Sequence, residues 1–282
     1  SGDSLKLMKN LKDSSVDLIF TSPPYALLKQ KTYGNVSQKE YIKWFRGFAN
    51  EFFRVLKDSG SLVINIGSSW IKGKPIKSLY HYELLIDLCQ NPNEPEKKFN
   101  LCQELFWNNP AKMPLPVQWV NVKRERIKET VENIFWLSKT EHPKSNNKEV
   151  LTPYKSDMKK LLKTQKYNQG KRPSGSIVTD KWGKNNGGAI PSNLLNVSNT
   201  GVDEFRKKLI KKGYNQHPAI FPSELPKFFI KMCTNKNDLV LDPFAGSNMT
   251  GFVAEKEGRK WISIEKKRVY CRHSKLRFSD LT

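Results

Sequence analysis

The sequence predicts an α/β protein, with a layered sheet covered by helices. Three observations predict this class. Short apolar runs typical of buried strands alternate with amphipathic segments through the first part of the chain, the same alternation returns after residue 216, and the part between them has weak periodicity. With 282 residues, the chain is long enough for one large domain or two modest ones.

The amino-terminal part begins with leucines at helical spacing over Leu5–Leu11, followed by the apolar run Val16–Phe20, which predicts a buried strand. Aromatic residues then recur every three or four positions over Gln38–Leu56 and predict a strongly amphipathic helix. The further predicted elements are, in chain order, strand Ser61–Gly67, helix Tyr80–Cys89 and strands Leu101–Trp107 and Asn133–Leu137.

Regular structure returns in the carboxyl-terminal part, where each apolar run is again bounded by turn residues. The predicted elements there are helix Leu225–Cys233, strand Asp238–Asp242, helix Phe252–Glu257, strand Trp261–Ile264 and helix Tyr270–Phe278. We therefore divide the chain into two halves of one sheet domain, residues 1–142 and 216–282, with an inserted module at residues 143–215.

Basic residues are concentrated in this module. The whole chain has 49 Lys and Arg against 27 Asp and Glu, a net charge of +22. Residues 143–215 contain 16 basic and 5 acidic residues, so about half of the excess lies in a quarter of the chain. A Lys-rich background composition would not concentrate the charge in this way. The module is expected to contact a polyanion such as nucleic acid, the alternative being a disordered linker.

Several classes of protein have little support. The four cysteines and four histidines are scattered, without the close pairs typical of a structural zinc site, so no metal is expected. No apolar run approaches the roughly 20 residues that span a bilayer, and the first residues do not resemble a signal peptide. Free thiols suit a reducing compartment, and a cytoplasmic location is expected.

The stiff loop Ser22-Pro23-Pro24-Tyr25 follows the first predicted strand. Two prolines fix the backbone and remove two donors, which leaves carbonyl groups, the Ser22 hydroxyl and the Tyr25 ring available for a ligand. Ligands of open α/β sheets bind at this carboxyl edge of the strands.

The segment Asp242–Gly251 predicts a second ligand-binding turn, because it is arranged as strand, glycine-bearing turn and helix, with Glu265 after the next strand. It lacks the glycine pattern for a dinucleotide and the lysine of a P-loop. A ligand with ribose and adenine but no phosphates fits better, and S-adenosylmethionine is the obvious candidate.

Thr-Ser-Pro-Pro-Tyr, followed much later by Asp-Pro-Phe-Ala-Gly-Ser, resembles the DNA amino-methyltransferases. The order of the motifs is similar to the circularly permuted β group of that family, and the PvuII-type cytosine-N4 methyltransferases share further motifs: Arg172–Gly175, Asn186–Gly188, His217–Ala219, Phe221-Pro222 and Arg259–Ser263. The resemblance covers nearly the whole chain. It implies a Rossmann-like methyltransferase sheet, circularly permuted, with an inserted, loop-rich DNA-recognition module.

The resemblance also implies roles for residues. Ser22 and the Pro23 carbonyl would accept hydrogen bonds from an exocyclic amine, with Pro24 stiffening the loop and Tyr25 stacking on a flipped-out base. Glu265 would hold the ribose of S-adenosylmethionine, and Asp242 would bind near its amino group. The other cofactor-binding residues implied are Phe244, Ala245, Gly246, Ser247, Thr250, His217, Pro218 and Asp3, the last as an adenine contact.

In the family, Ser at the position of Ser22 usually accompanies cytosine N4, whereas Asp or Asn accompanies adenine N6, so cytosine is favoured. Asn65, at the end of a neighbouring strand, is expected to be a supporting polar group near the target amine. PvuII-type enzymes have an acidic residue there. This departure weakens any mechanism in which a carboxylate takes the proton, and solvent could remove it instead.

The module at residues 143–215 is expected to read double-stranded DNA, with Arg172, Asn185 and Asn186 at base edges and Lys171 among the basic residues that hold the backbone. The leading hypothesis is a bacterial cytosine-N4 methyltransferase, nucleoid-associated and paired with a restriction endonuclease that acts on the same site. The alternatives are an adenine-N6 methyltransferase, a catalytically silent DNA-binding protein of the same fold and, more weakly, an RNA methyltransferase. The oligomeric state stays open.

Overall fold

A seven-stranded sheet organises the larger part of the chain in the computed structural model, which describes residues 1–27, 34, 36–166, 170–200, 204–215, 217 and 220–279. The strands in chain order are β1 (Val16–Thr21), β2 (Leu56–Ile66), β3 (Ser69–Trp70), β4 (Lys77–Ser78), β5 (Asn100–Asn108), β6 (Val131–Ser138), β7 (Gly170–Lys171), β8 (Ile177–Val178), β9 (Leu194–Asn196), β10 (Leu239–Asp242) and β11 (Lys260–Ser263). The order across the main sheet is β11-β10-β1-β2-β6-β5-β9, and β3-β4 and β7-β8 form separate pairs.

The central strand β1 is buried at every position, as expected for a strand covered on both faces. It runs parallel to both of its neighbours, β2 and β10. In the main sheet β6 runs against its neighbours β2 and β5, and the other pairs are parallel. The carboxyl ends of β1, β2 and β10 therefore meet at one edge, and the amino end of β6 lies at that same edge.

Helices cover the sheet, which confirms the predicted α/β class. The helices of the described residues are, in chain order, α1 (Ser4–Met8), α2 (Tyr41–Val55), α3 (Tyr80–Gln90), α4 (Ser156–Thr164), α5 (Glu204–Lys211), α6 (Glu224–Cys233), α7 (Met249–Lys256) and α8 (Arg268–Ser274). The predicted aromatic face of α2 is buried in the core. Within the described ranges, none of the helices has the length and apolar character needed to cross a membrane.

Several boundaries differ from the sequence prediction, and two of the differences affect the main sheet. The strand β2 begins at Leu56 rather than after Gly60, because its first residue, Leu56, pairs with Val16 of β1. A shift in register follows this pair. The segment Asn193–Asn196, predicted to belong to the inserted module, contributes β9 to the main sheet beside β5. The β9 strand has only three residues, two of them leucines, which is too short to show an alternating pattern, so it was not predicted.

The described chain divides into two compact units, Ser1–Ser145 with Asn193–Thr282, and Asn146–Ser192. The smaller unit contains fewer residues than the predicted module at 143–215. It contains α4, the β7-β8 hairpin and a backbone bridge in which Thr152 and Ala189 exchange hydrogen bonds of 2.9 and 2.8 Å. Its α4 helix has no buried residue.

Candidate active site

The two predicted ligand-binding segments meet where β1 and β10 end side by side. The Thr21 hydroxyl, one residue before the Ser-Pro-Pro loop, donates to Oδ1 of Asp242 at 2.8 Å. The same carboxylate accepts from the Phe244 N–H at 3.1 Å and from the Thr250 hydroxyl at 2.7 Å. One buried side chain thus joins the end of β1, the turn after β10 and the start of α7.

Asp242 is 1% exposed, and burial raises its pKa to about 6, even though the three hydrogen bonds act in the opposite direction. All of these bonds are internal, so the carboxylate holds the turn in place. Its contact with the amino group of a cofactor stays a prediction.

The raised pKa has an expected effect on stability. The folded state holds the Asp242 proton up to about pH 6, whereas the ordinary value is 3.8, so its contribution to the free energy of unfolding is largest at low pH and falls as pH rises between these values. Asp242→Asn does not titrate. The wild-type free energy of unfolding, minus that of the variant, should therefore fall by about 2 kcal/mol between pH 4 and pH 7 in denaturant titrations.

Asp58→Asn is the matched control for this measurement, because the Asp58 side chain is 80% exposed. The pH dependence of Asp242→Asn is read against that of this variant, which changes an exposed carboxylate. A pH-independent difference for Asp242→Asn would contradict the prediction.

The Ser22–Tyr25 loop follows β1 at the same edge of the sheet. Pro23 is buried, and among the described residues no backbone N–H donates to its carbonyl group. The Tyr25 ring packs on Gly67, at the end of β2, where an added Cβ would lie 2.6 Å from the ring. A side chain at residue 67 would displace this ring, so Gly67 belongs to the site, although no motif of the sequence pointed to it.

A carboxylate that the sequence reading missed lies beside this loop. Glu132, near the start of β6, accepts a hydrogen bond from the Tyr25 hydroxyl at 2.7 Å and pairs with Lys112 at 2.9 Å. The predicted residue Asn65 is 1% exposed and donates from Nδ2 to the Tyr25 oxygen at 2.8 Å and to Glu132 at 3.1 Å. A carboxylate is therefore present, supplied by β6 rather than by β2.

The turn after β10 has the form expected for close approach of a ligand. Gly246 has φ of +51°, and an added Cβ would lie 3.1 Å from the His217 ring. The Gly246 N–H donates to the Glu265 carboxylate at 3.0 Å. Predicted residues from three distant segments, Gly246, Glu265 and His217, are thus brought together.

The remaining residues of this turn differ in exposure. The half-buried ring of Phe244 packs on Phe48 of α2, with a centroid distance of 4.9 Å. Ala245 and Ser247 are 6% and 7% exposed. The buried Arg277 side chain donates to the carbonyl group of Ser247 at 2.9 Å and so ties the turn to the end of the chain.

The residues on either side of Asp3 bond to the turn after β10 and to Glu265. The Gly2 N–H donates to the Glu265 carbonyl group at 3.0 Å, and the Ser4 hydroxyl donates to the Pro243 carbonyl group at 2.5 Å. The Asp3 side chain itself caps α1 by accepting from the Lys6 N–H at 3.1 Å. Pro218, also predicted to bind the cofactor, lies outside the described residues.

The predicted DNA-binding residues lie in the smaller unit and are exposed. Lys171 and Arg172 are at the β7-β8 hairpin, where the Arg172 N–H donates to the Ser176 carbonyl group at 2.7 Å. The Asn185 side chain accepts from the Gly187 N–H at 3.0 Å, and Asn186 donates its backbone N–H to the Tyr154 hydroxyl at 2.9 Å. These bonds fix two exposed turns that present polar side chains.

The cysteines are free, and burial raises the pKa of each thiol, to about 11 for Cys89 and about 12 for Cys233. Such thiols are poor nucleophiles at neutral pH. The described part of the chain also contains no group of three His, Cys, Asp or Glu side chains placed to hold a metal ion.

Comparison with known proteins identifies the family. A sequence model described as DNA methylase matches residues 16–276. The chain belongs to this DNA methylase family. The protein is therefore an enzyme that methylates DNA, and the predicted membership of the DNA amino-methyltransferases is confirmed.

Relatives within the DNA methylase family are similar over most of their length. Type II methyltransferase M.PvuII of Proteus hauseri is 44% identical over 99% of this chain and 82% of its own, and M.ScaI of Streptomyces caespitosus is 26% identical over 94% and 75%. A solved structure described as PvuII DNA methyltransferase (cytosine-N4-specific) has a TM-score of 0.77 and 39% identity over 98% of this chain and 84% of that one. The predicted methyltransferase sheet is confirmed.

Proposed function

We propose that this DNA methylase transfers the methyl group of S-adenosylmethionine to the N4 amine of cytosine in double-stranded DNA. The observation that carries the proposal is the 2.8 Å bond between Thr21 and Asp242, which sets the Ser-Pro-Pro loop beside the Gly246 turn. Ser22 and the similarity to a cytosine-N4-specific methyltransferase support cytosine as the base.

The residues of the turn fit S-adenosylmethionine. At φ +51°, Gly246 leaves the backbone open to a ligand, and Glu265 stands beside it with a carboxylate suited to ribose hydroxyls. We assign binding of the methionine end of the cofactor to the Phe244–Ser247 turn and His217. Asp242 and Thr250 would support this turn. Asp3 would contact the adenine. When bound, S-adenosylmethionine supplies an electrophilic sulfonium methyl group.

The Ser-Pro-Pro loop acts on the target amine. The lone pair of this nitrogen is delocalised into the base, so the amine is a weak nucleophile. Acceptors at its two hydrogens, the Ser22 hydroxyl oxygen and the Pro23 carbonyl oxygen, favour tetrahedral nitrogen and stabilise the positive charge that develops. The nitrogen–carbon bond forms as the carbon–sulfur bond breaks, and one amine proton is lost to solvent. No thiol adduct is required, which agrees with the raised thiol pKa values.

The chemical identity of the product tests this function. DNA is incubated with protein and methyl-labelled S-adenosylmethionine, then digested to nucleosides that are separated. Label in N4-methyldeoxycytidine is the expected result. Label in N6-methyldeoxyadenosine alone would overturn the choice of base, and cofactor binding without any labelled nucleoside would overturn the catalytic proposal.

The smaller unit is proposed to recognise the DNA sequence. Arg172→Ala should weaken binding to the target duplex about 5- to 100-fold and reduce discrimination against other sequences, because arginine pairs with a base edge through two hydrogen bonds. Lys171→Ala should instead weaken binding to all sequences and reduce the slope of log affinity against log salt by about 1. Fluorescence anisotropy over a salt series measures both.

Lys9→Ala, which removes an exposed lysine from the larger unit, is the control for charge. Equal losses for all three variants would show that net charge alone controls binding. The similarity to type II methyltransferases also supports a cognate restriction endonuclease for the same site and a location at the nucleoid of a bacterial cytoplasm.

A further inference from the structure

The Glu132 side chain lies at the centre of a polar network under the amine-binding loop. Its Oε2 accepts from the Tyr25 hydroxyl at 2.7 Å and from Asn65 Nδ2 at 3.1 Å, while its Oε1 accepts from Lys112 Nζ at 2.9 Å. The side chain is 13% exposed, against 36% for Lys112. Both carboxylate oxygens therefore have defined partners, and the network continues from Tyr25 to Ser22, whose oxygens are 3.2 Å apart.

The chemistry of these groups determines the direction of each hydrogen bond. An ionised carboxylate only accepts, so the single hydrogen of the Tyr25 hydroxyl points to Glu132. The Tyr25 oxygen can then only accept, as it does from Asn65 at 2.8 Å. Ser22 must therefore donate its own hydrogen to Tyr25. The Ser22 oxygen is left with lone pairs alone for the target amine.

Two further observations keep this direction fixed. Burial, followed by the negative charge of Glu132, raises the pKa of Tyr25 well above its usual value, so its hydroxyl stays protonated. The Asn65 amide has two acceptors on its nitrogen side, whereas its buried Oδ1 has no partner among the described residues. Turning the amide over would place its oxygen against the carboxylate, so Asn65 is held as a donor.

We propose that Glu132 is a positioning residue that directs the Ser22–Tyr25–Glu132 chain of hydrogen bonds, so that Ser22 meets the target amine only as an acceptor. The inference rests on the proposed function and assigns to that reaction a residue outside the Ser-Pro-Pro motif. Without the carboxylate, Tyr25 could donate to Ser22, and the Ser22 hydrogen would then oppose the hydrogens of the amine.

A double-mutant cycle tests this inference. Single-turnover methylation rates are measured for wild type, Glu132→Gln, Tyr25→Phe and the double variant. Labelled cytosine and labelled adenine are both counted. Each single variant should be about tenfold slower, since one hydrogen bond in the transition state is lost or reversed. The double variant should be no slower than the slower single variant, because both changes break the same chain. The dissociation constant of S-adenosylmethionine, measured by calorimetry, should stay within about twofold.

A second variant separates the direction of the hydrogen bonds from an effect on protein stability. In Glu132→Gln with Asn65→Asp, a carboxylate returns within reach of the Tyr25 hydroxyl, because residue 65 already approaches that oxygen at 2.8 Å. This pair of changes should recover most of the wild-type rate. Glu129→Gln is the matched control, since Glu129 also pairs with a lysine, Lys77, and accepts from Ser68, but is not linked to Ser22.

The outcomes distinguish this inference from the proposed function. Wild-type protein that labels no cytosine contradicts the cytosine-N4 function, and the cycle can still be read on labelled adenine. An active wild type with an equally fast Glu132→Gln variant overturns the role of Glu132 alone. Two further results would overturn the role of Glu132 by showing that it acts only through general stability. One is a double variant whose loss of rate is the product of the two single losses. The other is a rate that Asn65→Asp does not recover.

Discussion

Ser22→Ala is expected to slow methyl transfer about 100- to 1000-fold while leaving the affinity for S-adenosylmethionine nearly unchanged. The change removes a rigidly placed acceptor from a site where charge develops, and the loss of one such pre-organised group has effects of this size in other enzymes. The Gly246 turn that we assign to the cofactor keeps its contacts with Glu265 and His217, which do not involve Ser22. Single-turnover rates and calorimetry measure the two effects separately.

Ser145→Ala is the control for Ser22→Ala, because Ser145 is an exposed serine whose hydroxyl contacts only the nearby Pro143 carbonyl group at 3.4 Å among the described residues. It should methylate at the wild-type rate. If Ser22→Ala retained more than about a tenth of that rate, the hydroxyl would not be a principal acceptor for the amine, since a tenfold effect corresponds to only about 1.4 kcal/mol.

Gly246→Ala is expected to weaken binding of S-adenosylmethionine by at least about tenfold. Residue 246 has φ of +51°, which L-residues with a side chain adopt at a cost of about 1 kcal/mol or more. Its added Cβ would also lie 3.1 Å from the His217 ring. Either the ring or the turn must move, and both belong to the proposed site. Calorimetric titration with the cofactor measures the change.

Gly73→Ala separates backbone strain from damage to the site. Gly73 has φ of +73°, and no atom lies within 4 Å of an added Cβ. The two variants should lose comparable stability from the backbone, but only Gly246→Ala should lose cofactor affinity. Equal affinities for both variants would show that the turn after β10 does not contact the ligand.

The central strands of the sheet could be predicted from the sequence because they contain continuous apolar runs. Val16–Phe20 is buried on both faces, and the aromatic period of α2 matches the face that covers the core. The elements that were missed have no such signal. The β9 strand is three residues long, and α4 is a lysine-rich helix of nine residues without a buried side chain, so neither contains an apolar run long enough to predict it.

The site was predictable where chemistry follows a strand. Ser22, Asn65 and Gly246 each come at or after the carboxyl end of a parallel strand, and they meet at one edge. Glu132 comes near the beginning of its strand, and only the reversed direction of β6 brings it to that edge. An isolated glutamate before an apolar run carries no sequence signal of strand direction, which is why the pattern alone pointed to Asn65 and not to its acidic neighbour.

The bond between Thr21 and Asp242 joins residues 221 positions apart, the largest separation among the side-chain contacts at the Ser-Pro-Pro loop. During synthesis, β1 can pair with β2 long before β10 has been synthesised. The amine-binding loop therefore forms before the turn that is assigned to the cofactor. Closing so long a segment is slow compared with forming local helices and hairpins. Catalytic competence should therefore appear as a late step of folding, when β10 and β11 dock beside β1, and partly folded chains should contact DNA without methylating it.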